Sequence, residues 1–325
     1  MSALPESVRN FILDHKKFLV LGHLEPDGDS TASQIVLASF LRRMGKRALL
    51  FCEGPFDRPE IQEYEPLFKD RLGARDLSGE PAVAVLDCST TGRMGALAAQ
   101  VRGRPTLVID HHSSGREFGD VRWLEPRAPA TVFLIQQLME ALEYPPTREE
   151  AELLLFGLCT DTGFFRHLGP DSAPVFASVS RLVEAGASPE RTFRQVYGGQ
   201  ELAKMKLLSQ ALSRVEEHFG GRLLLSCQYL EDFEGKKSNT RGSYELYNLL
   251  QTVKGVEVIA FVREESRGQW SVGLRSGGTV DVGSLASALG GGGHRMAAGF
   301  NYRGTCEEIK GLLLEHLGKS LKSRS

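Results

Sequence analysis

The sequence predicts an α/β protein: an N-terminal, mostly parallel sheet with flanking helices, a helical linker, and a smaller C-terminal α/β domain. Three observations predict it. Short apolar runs at 18–22 (FLVLG), 47–51 (RALLF), 81–87 (PAVAVLD) and 105–110 (PTLVID) alternate with stretches of helical spacing, the pattern of strands buried on both faces of a parallel sheet. Three of these runs empty into polar residues suited to binding, at His23, Asp87 and Asp110. The chain has 325 residues, beyond the usual size of one core, so two domains are expected.

Each element follows in order. After the first run, Ile35, Leu37, Ala38, Leu41 and Met44 keep near-helical spacing from Ser30 until Gly45. Residues 130–142 and 148–160 read as helices, with Thr131 or Thr147 as caps. Another helix is expected over 171–186. The stretch 188–215 is helical and more polar, broken at Gly198–Gly199, and forms the linker between domains at 1–187 and 216–325. Beyond it, 222–230, 255–264 and 269–276 are strand-like, 280–289 is helical, GGGG at 290–293 ends that helix, and 305–317 is a helix again.

Composition narrows the function. With 41% hydrophobic and 25% charged residues and a formal net charge of -2, the chain lacks the basic excess needed to coat long nucleic acid. Any nucleic-acid partner is expected to be short, with no long duplex and no membrane partner. The five scattered cysteines form no CxxC pair and fit a reducing compartment. No run approaches the roughly 20 apolar residues of a spanning helix, and a cytoplasmic location is expected. Whether the chain forms a homodimer is left open.

The stretch GHLEPDGDS at 22–30 sets His23, Asp27 and Asp29 close together around Gly28. Such residues make a poor core and a good cation site. Ions of the manganese and magnesium type favour carboxylates and tolerate imidazole, and two ions about 3.5–4 Å apart need a carboxylate that bridges them. His23 and Asp27 suit one ion and Asp29 its neighbour, with Gly28 easing the turn between them. Asp87 is the candidate bridge. His111 and His112, after Asp110, offer one imidazole ligand and one imidazole free for substrate. Asp161, in CTDTGFF, suits the second ion.

The series HLEPDGD, LDCS, DHH and TDTGFF, followed by GLRS and GGGGHRMAAGF, resembles the DHH superfamily of phosphoesterases with the DHH-associated C-terminal domain, in the nanoRNase and pAp phosphatase branch. The resemblance implies a DHH-type catalytic domain and two divalent ions, manganese by preference with magnesium or cobalt as alternatives. It implies His23 and Asp27 on one ion, Asp29, His111 and Asp161 on the other, and Asp87 between them. His112 would act on the scissile phosphate or leaving group, with Asp110 as its catalytic companion. Where the family commonly has a glycine-serine pair, this chain has Ala32 and Ser33.

In the second domain, Gly291, Gly292, Gly293, His294 and Arg295 suggest a loop that approaches an anion closely. Arg275 offers a guanidinium fork for phosphate. The resemblance implies that these two motifs grip the far end of a short nucleotide chain. Arg93 is a further phosphate candidate, with Arg241 and Tyr244 behind it. The expected activity is metal-dependent hydrolysis of short oligoribonucleotides and linear dinucleotides, with dephosphorylation of pAp. The alternatives are a cyclic-dinucleotide phosphodiesterase and an idle nucleotide-binding regulatory protein. A scaffold is disfavoured, because clustered acids repel one another without a counter-ion.

Overall fold

The computed structural model describes residues 4–112, 118–233 and 243–322. The chain forms two units, Met1–Gly199 and Gln200–Ser325. The first runs α1 (Glu6–Asp14), β1 (Lys17–Leu21), α2 (Gly28–Arg43), β2 (Arg47–Phe51), α3 (Ala74–Leu77), β3 (Ala82–Leu86), α4 (Leu97–Gln100), β4 (Thr106–Asp110), β5 (Val121–Leu124), α5 (Thr131–Ala141), α6 (Arg148–Asp161), α7 (Ala173–Glu184) and α8 (Pro189–Tyr197). Its five strands lie in the order β2-β1-β3-β4-β5, every neighbouring pair parallel.

The sheet is buried on both faces, and its strands alternate accordingly. From β1, Phe18 and Val20 enter a core shared with α2, α5 and α6, while Leu19 and Leu21 enter a second core with Met94 and Leu97. Strand β3 divides its residues in the same way, Ala82, Ala84 and Leu86 against Val83 and Val85. This is why the runs read as continuous apolar stretches rather than alternating ones.

Two of the expected helix starts change. Helix α2 begins at Gly28, ahead of Ser30, because the Asp27 carboxylate caps it by accepting from the Ser30 N–H at 3.0 Å. Thr147 caps α6 in a capping box with Glu150, but Thr131 caps nothing: it is the first residue of α5 and its hydroxyl is used elsewhere.

The second unit runs α9 (Leu202–Ser213), β6 (Glu216–His218), β7 (Leu223–Gln228), α10 (Ser243–Leu250), β8 (Val258–Ser266), β9 (Gln269–Ser276), α11 (Val282–Ala288), β10 (Gly292–His294), β11 (Ala297–Arg303) and α12 (Cys306–Lys322). Its sheet has the order β10-β11-β9-β8-β7-β6, with β7 and β8 parallel and the other pairs antiparallel. The stretch 188–215 holds two helices, α8 in the first unit and α9 in the second. The glycine run is not simply a loop, since Gly292 and Gly293 belong to β10 and pair with Gly299 and Ala298. Among the described residues no helix is long and apolar enough to cross a membrane.

Candidate metal centre

The strand order reverses between β1 and β3, and in open parallel sheets ligands bind at such a switch point, beyond the C-terminal ends of the strands. The predicted residues collect there. His23 lies two residues past β1, Asp87 directly follows β3, and Asp110 ends β4 with His111 and His112 next. Asp27 and Asp29 sit at the start of α2, and Asp161 is the last residue of α6. Asp87 has a left-handed φ of +56°, uncommon for a residue with a Cβ. Its N–H is held by the Ile109 carbonyl at 3.0 Å, so the strand edge fixes this conformation.

Among the described residues three groups of three donors form: Asp87, His111 and His112 make one, and the other two are built from the predicted ligands alone. In the first of these two, His23 Nε2 lies 3.4 Å from Asp87 Oδ2 and 3.9 Å from Asp27 Oδ2. In the second, His111 Nε2 lies 3.4 Å from Asp161 Oδ2 and 3.8 Å from Asp29 Oδ2. Asp87 Oδ1 lies 3.6 Å from His111 Nε2, so one carboxylate faces both groups. Around an octahedral ion with bonds of about 2.1 Å, donors are about 3.0 Å apart when adjacent and about 4.2 Å when opposed. The observed spacings fall between these values. His23 Nε2 and His111 Nε2 are buried and have no hydrogen-bond partner among the described residues, as expected of ring nitrogens turned toward a cation.

The donor set also fits the kind of ion. Carboxylate and imidazole without thiolate suit manganese or magnesium. Cys88, beside Asp87, belongs to none of the donor groups, and its thiol donates to the Thr90 carbonyl at 3.2 Å.

Burial raises Asp29 and Asp87 well above the usual carboxylate range, with repulsion from neighbouring aspartates adding to it. Burial likewise raises Asp161 and lowers His23. Asp110 behaves differently. Burial pushes it up, but hydrogen bonds from the His112 ring and backbone outweigh that and leave it below the ordinary value. His112 Nδ1 lies 2.8 Å from Asp110 Oδ1, and this bond raises the imidazole in turn.

Several supporting residues were not foreseen. Asp29 accepts from the backbone N–H groups of Thr131 at 2.6 Å and Val132 at 2.8 Å, so the N-terminus of α5 grips this carboxylate. The Thr131 hydroxyl donates to Asp87 Oδ1 at 3.0 Å. Arg58, exposed, disfavours protonation of His23 and lowers Asp161 through its charge. Only the polar type of Thr131 hinted at its use, and nothing in the run around Arg58 did.

Gly28 has a different role from the one expected. It lies inside α2 rather than in a turn, and a Cβ there would run into the Thr160 side chain of α6. The absent side chain lets α2 and α6 approach closely, which brings Asp29 toward Asp161. Arg93 is exposed, and its carbonyl accepts from the Leu24 N–H at 2.7 Å, placing it beside the His23 loop.

In the second unit a cavity of about 360 Å³ is lined by Tyr247, Arg275, Gly290, Gly291, Phe300 and Asn301, among others. The Arg275 guanidinium stacks 4.5 Å from the Tyr247 ring centroid. Gly291 has no room for a side chain against Gly299 and Phe300, and Gly293 has none against Ala298. Gly292, His294 and Arg295 are exposed and, with Gly293, lie outside the cavity lining; Arg295 instead donates to the Gly278 carbonyl at 3.4 Å. Arg241 and the Tyr244 side chain lie outside the described residues.

Residues 17–158 match the DHH family, N-terminal domain, and residues 225–322 match the DHHA1 domain. The chain is also 31% identical, over 87% of its length and 83% of the relative's, to the bifunctional oligoribonuclease and PAP phosphatase NrnA of Thermus thermophilus. The chain belongs to the DHH family. Among solved structures, an exopolyphosphatase-related protein from Bacteroides fragilis shares the fold of this DHH protein, with a TM-score of 0.79 and 23% identity, covering 98% of this chain and 95% of that one. Exonuclease RecJ bound to manganese also shares it, at a TM-score of 0.53 and 14% identity, covering 100% of this chain and 97% of that one. Ala32 of α2 packs beside Gly157 of α6, where an added Cβ would run first into Val132 of α5 and come within 3.1 Å of the Ala32 Cβ.

Proposed function

We propose that this protein is a metal-dependent phosphoesterase that hydrolyses short oligoribonucleotides, linear dinucleotides included, to mononucleotides and dephosphorylates pAp. The observation that carries this reading is one buried carboxylate, Asp87, at the sheet's switch point, set between His23 and Asp27 on one side and the group Asp29, His111 and Asp161 on the other. The name of the NrnA relative supports the substrate class.

His23 and Asp27 would hold one divalent ion and Asp29, His111 and Asp161 a second, with Asp87 within reach of both groups. Manganese is the preferred metal, with magnesium or cobalt able to substitute. When bound, the pair supplies Lewis acidity toward a phosphoryl oxygen and acidifies water at the site. The Asp110 carboxylate accepts from His112 Nδ1–H, which orients the ring and favours its protonated form, leaving Nε2–H to donate to the departing oxygen. Thr131 and the first amides of α5 keep Asp87 and Asp29 in place before any ligand arrives. Arg93 is a phosphate contact beside the His23 loop. In the second unit, Arg275, whose guanidinium lies in the cavity wall, and the 291–295 segment are phosphate contacts for the substrate.

A purified-protein panel with manganese tests this: pAp, pApA, cyclic di-AMP, and short and long RNA, scored together. Turnover of pAp and the short RNAs, abolished in Asp87→Ala, is expected. Arg275→Ala should slow pApA far more than an activated phenyl phosphodiester. Binding of pAp without turnover would sink the enzyme reading, and preference for cyclic di-AMP would move the protein to a different substrate.

A further inference from the structure

Away from the metal centre, the second unit brings together two cysteines that the proposed function does not use. Cys227, on β7, and Cys306, the first residue of α12, are 79 positions apart in sequence, yet their Sγ atoms lie 2.8 Å from one another. Both are buried, at 3% and 6% exposure. From this geometry we infer that Cys227 and Cys306 form a peroxide-sensitive dithiol, oxidised reversibly to a disulfide that ties the C-terminal helix to the sheet.

The surroundings divide the two thiols into a nucleophile and a proton-bearing partner. The hydrogen bond from Cys227 lowers Cys306 to about 7, against the opposing effect of burial, and Tyr229 and Lys310 favour the thiolate as well. Glu307 opposes it. Cys306 also sits in the first turn of a 17-residue helix, where the backbone N–H groups favour an anion. Cys227 moves the opposite way, raised first by the same hydrogen bond and then by burial.

The chemistry balances with a hydroperoxide as the oxidant. The Cys306 thiolate attacks one peroxide oxygen, the O–O bond breaks, and the products are Cys306 sulfenic acid and, from hydrogen peroxide, hydroxide. Cys227 then attacks the sulfenic sulfur, the S–S bond forms, and hydroxide leaves to take up the Cys227 proton as water. Two thiols and one peroxide become one disulfide and two waters.

The remaining cysteines provide an internal contrast. Cys52, Cys88 and Cys159 lie in the first unit, and burial pushes them up to about 11, 11 and 12, so they stay protonated. Cys52 and Cys88 donate to backbone carbonyls rather than to another sulfur.

The test is to expose the full chain to hydrogen peroxide at neutral pH and map it by peptide mass spectrometry without reductant. The expected result is loss of two of the five thiols, a 227–306 cross-linked peptide two hydrogens lighter, and a melting temperature several degrees higher that dithiothreitol reverses. Cys227→Ser should leave Cys306 as a sulfenic acid that dimedone traps. The inference is overturned if all five thiols survive, if the cross-link involves another cysteine, or if unaltered protein shows overoxidised Cys306 without a cross-link. The wild-type mapping alone decides it, even where a variant fails to fold.

Discussion

The metal centre depends on carboxylates that resist being charged. Asp29, Asp87 and Asp161 are all raised, chiefly by burial, so the folded state binds more protons here than an unfolded chain whose aspartates titrate near 4. The cluster's contribution to the metal-free protein's stability therefore falls as pH climbs from about 4 through the raised folded values. A divalent cation would take the place of those protons. Manganese binding is expected to release protons and to tighten with pH across the raised titration range, read as a calorimetric enthalpy that changes with the buffer's ionisation enthalpy. A buffer-independent enthalpy would show that the carboxylates are already ionised. The Thr131 hydroxyl shares the task of positioning Asp87, and its loss should weaken metal affinity about 10- to 100-fold in Thr131→Val, with Thr131→Ser restoring most of it. Equal affinity in all three proteins would reduce Thr131 to a packing residue. The six acid and imidazole ligand candidates were legible in the sequence because a cation site restricts residue types sharply. Thr131 and Val132 were not, since they act partly through backbone amides that every residue possesses.

Among the elements, legibility followed burial. Strands β1 to β4 announce themselves as apolar runs because both faces of the sheet are covered. Strand β5, VRWL, carries an arginine that stays exposed, and β10 is made of two glycines and a histidine; neither contains an apolar run. Helix α1 goes unannounced as well, although Val8, Phe11 and Ile12 bury one of its faces. The close approach of α2 and α6 was equally hidden. Nothing local to GHLEPDGDS reveals that Gly28 is small because Thr160 of α6 is pressed against it. Gly28→Ala forces that crossing apart, a clash of the kind that costs about 1–3 kcal/mol, and it moves the element carrying Asp29 relative to the one carrying Asp161. Weaker manganese binding together with a melting temperature lowered by several degrees is expected. Reduced stability with unchanged affinity would mean that the ligand geometry does not depend on this crossing.

For the whole molecule, the division into two units with separate cores makes metal stabilisation selective. All six ligand candidates belong to Met1–Gly199, and none to Gln200–Ser325. A ligand that binds only the native state stabilises it by about 2.7 kcal/mol at a hundred times its dissociation constant. For a unit of this size each kcal/mol shifts the melting temperature by roughly 2–4 °C. Scanning calorimetry of the full chain with saturating manganese is therefore expected to move the transition of the first unit upward by about 5–10 °C. Asp87→Ala, without the carboxylate that faces both donor groups, should lose most of this shift. If the wild-type melt stays where it is at saturating metal, the gathered aspartates and histidines do not form a ready cation site. The raised carboxylates would then be neutral acids in a polar cleft, and the hydrolytic reading would lose its foundation.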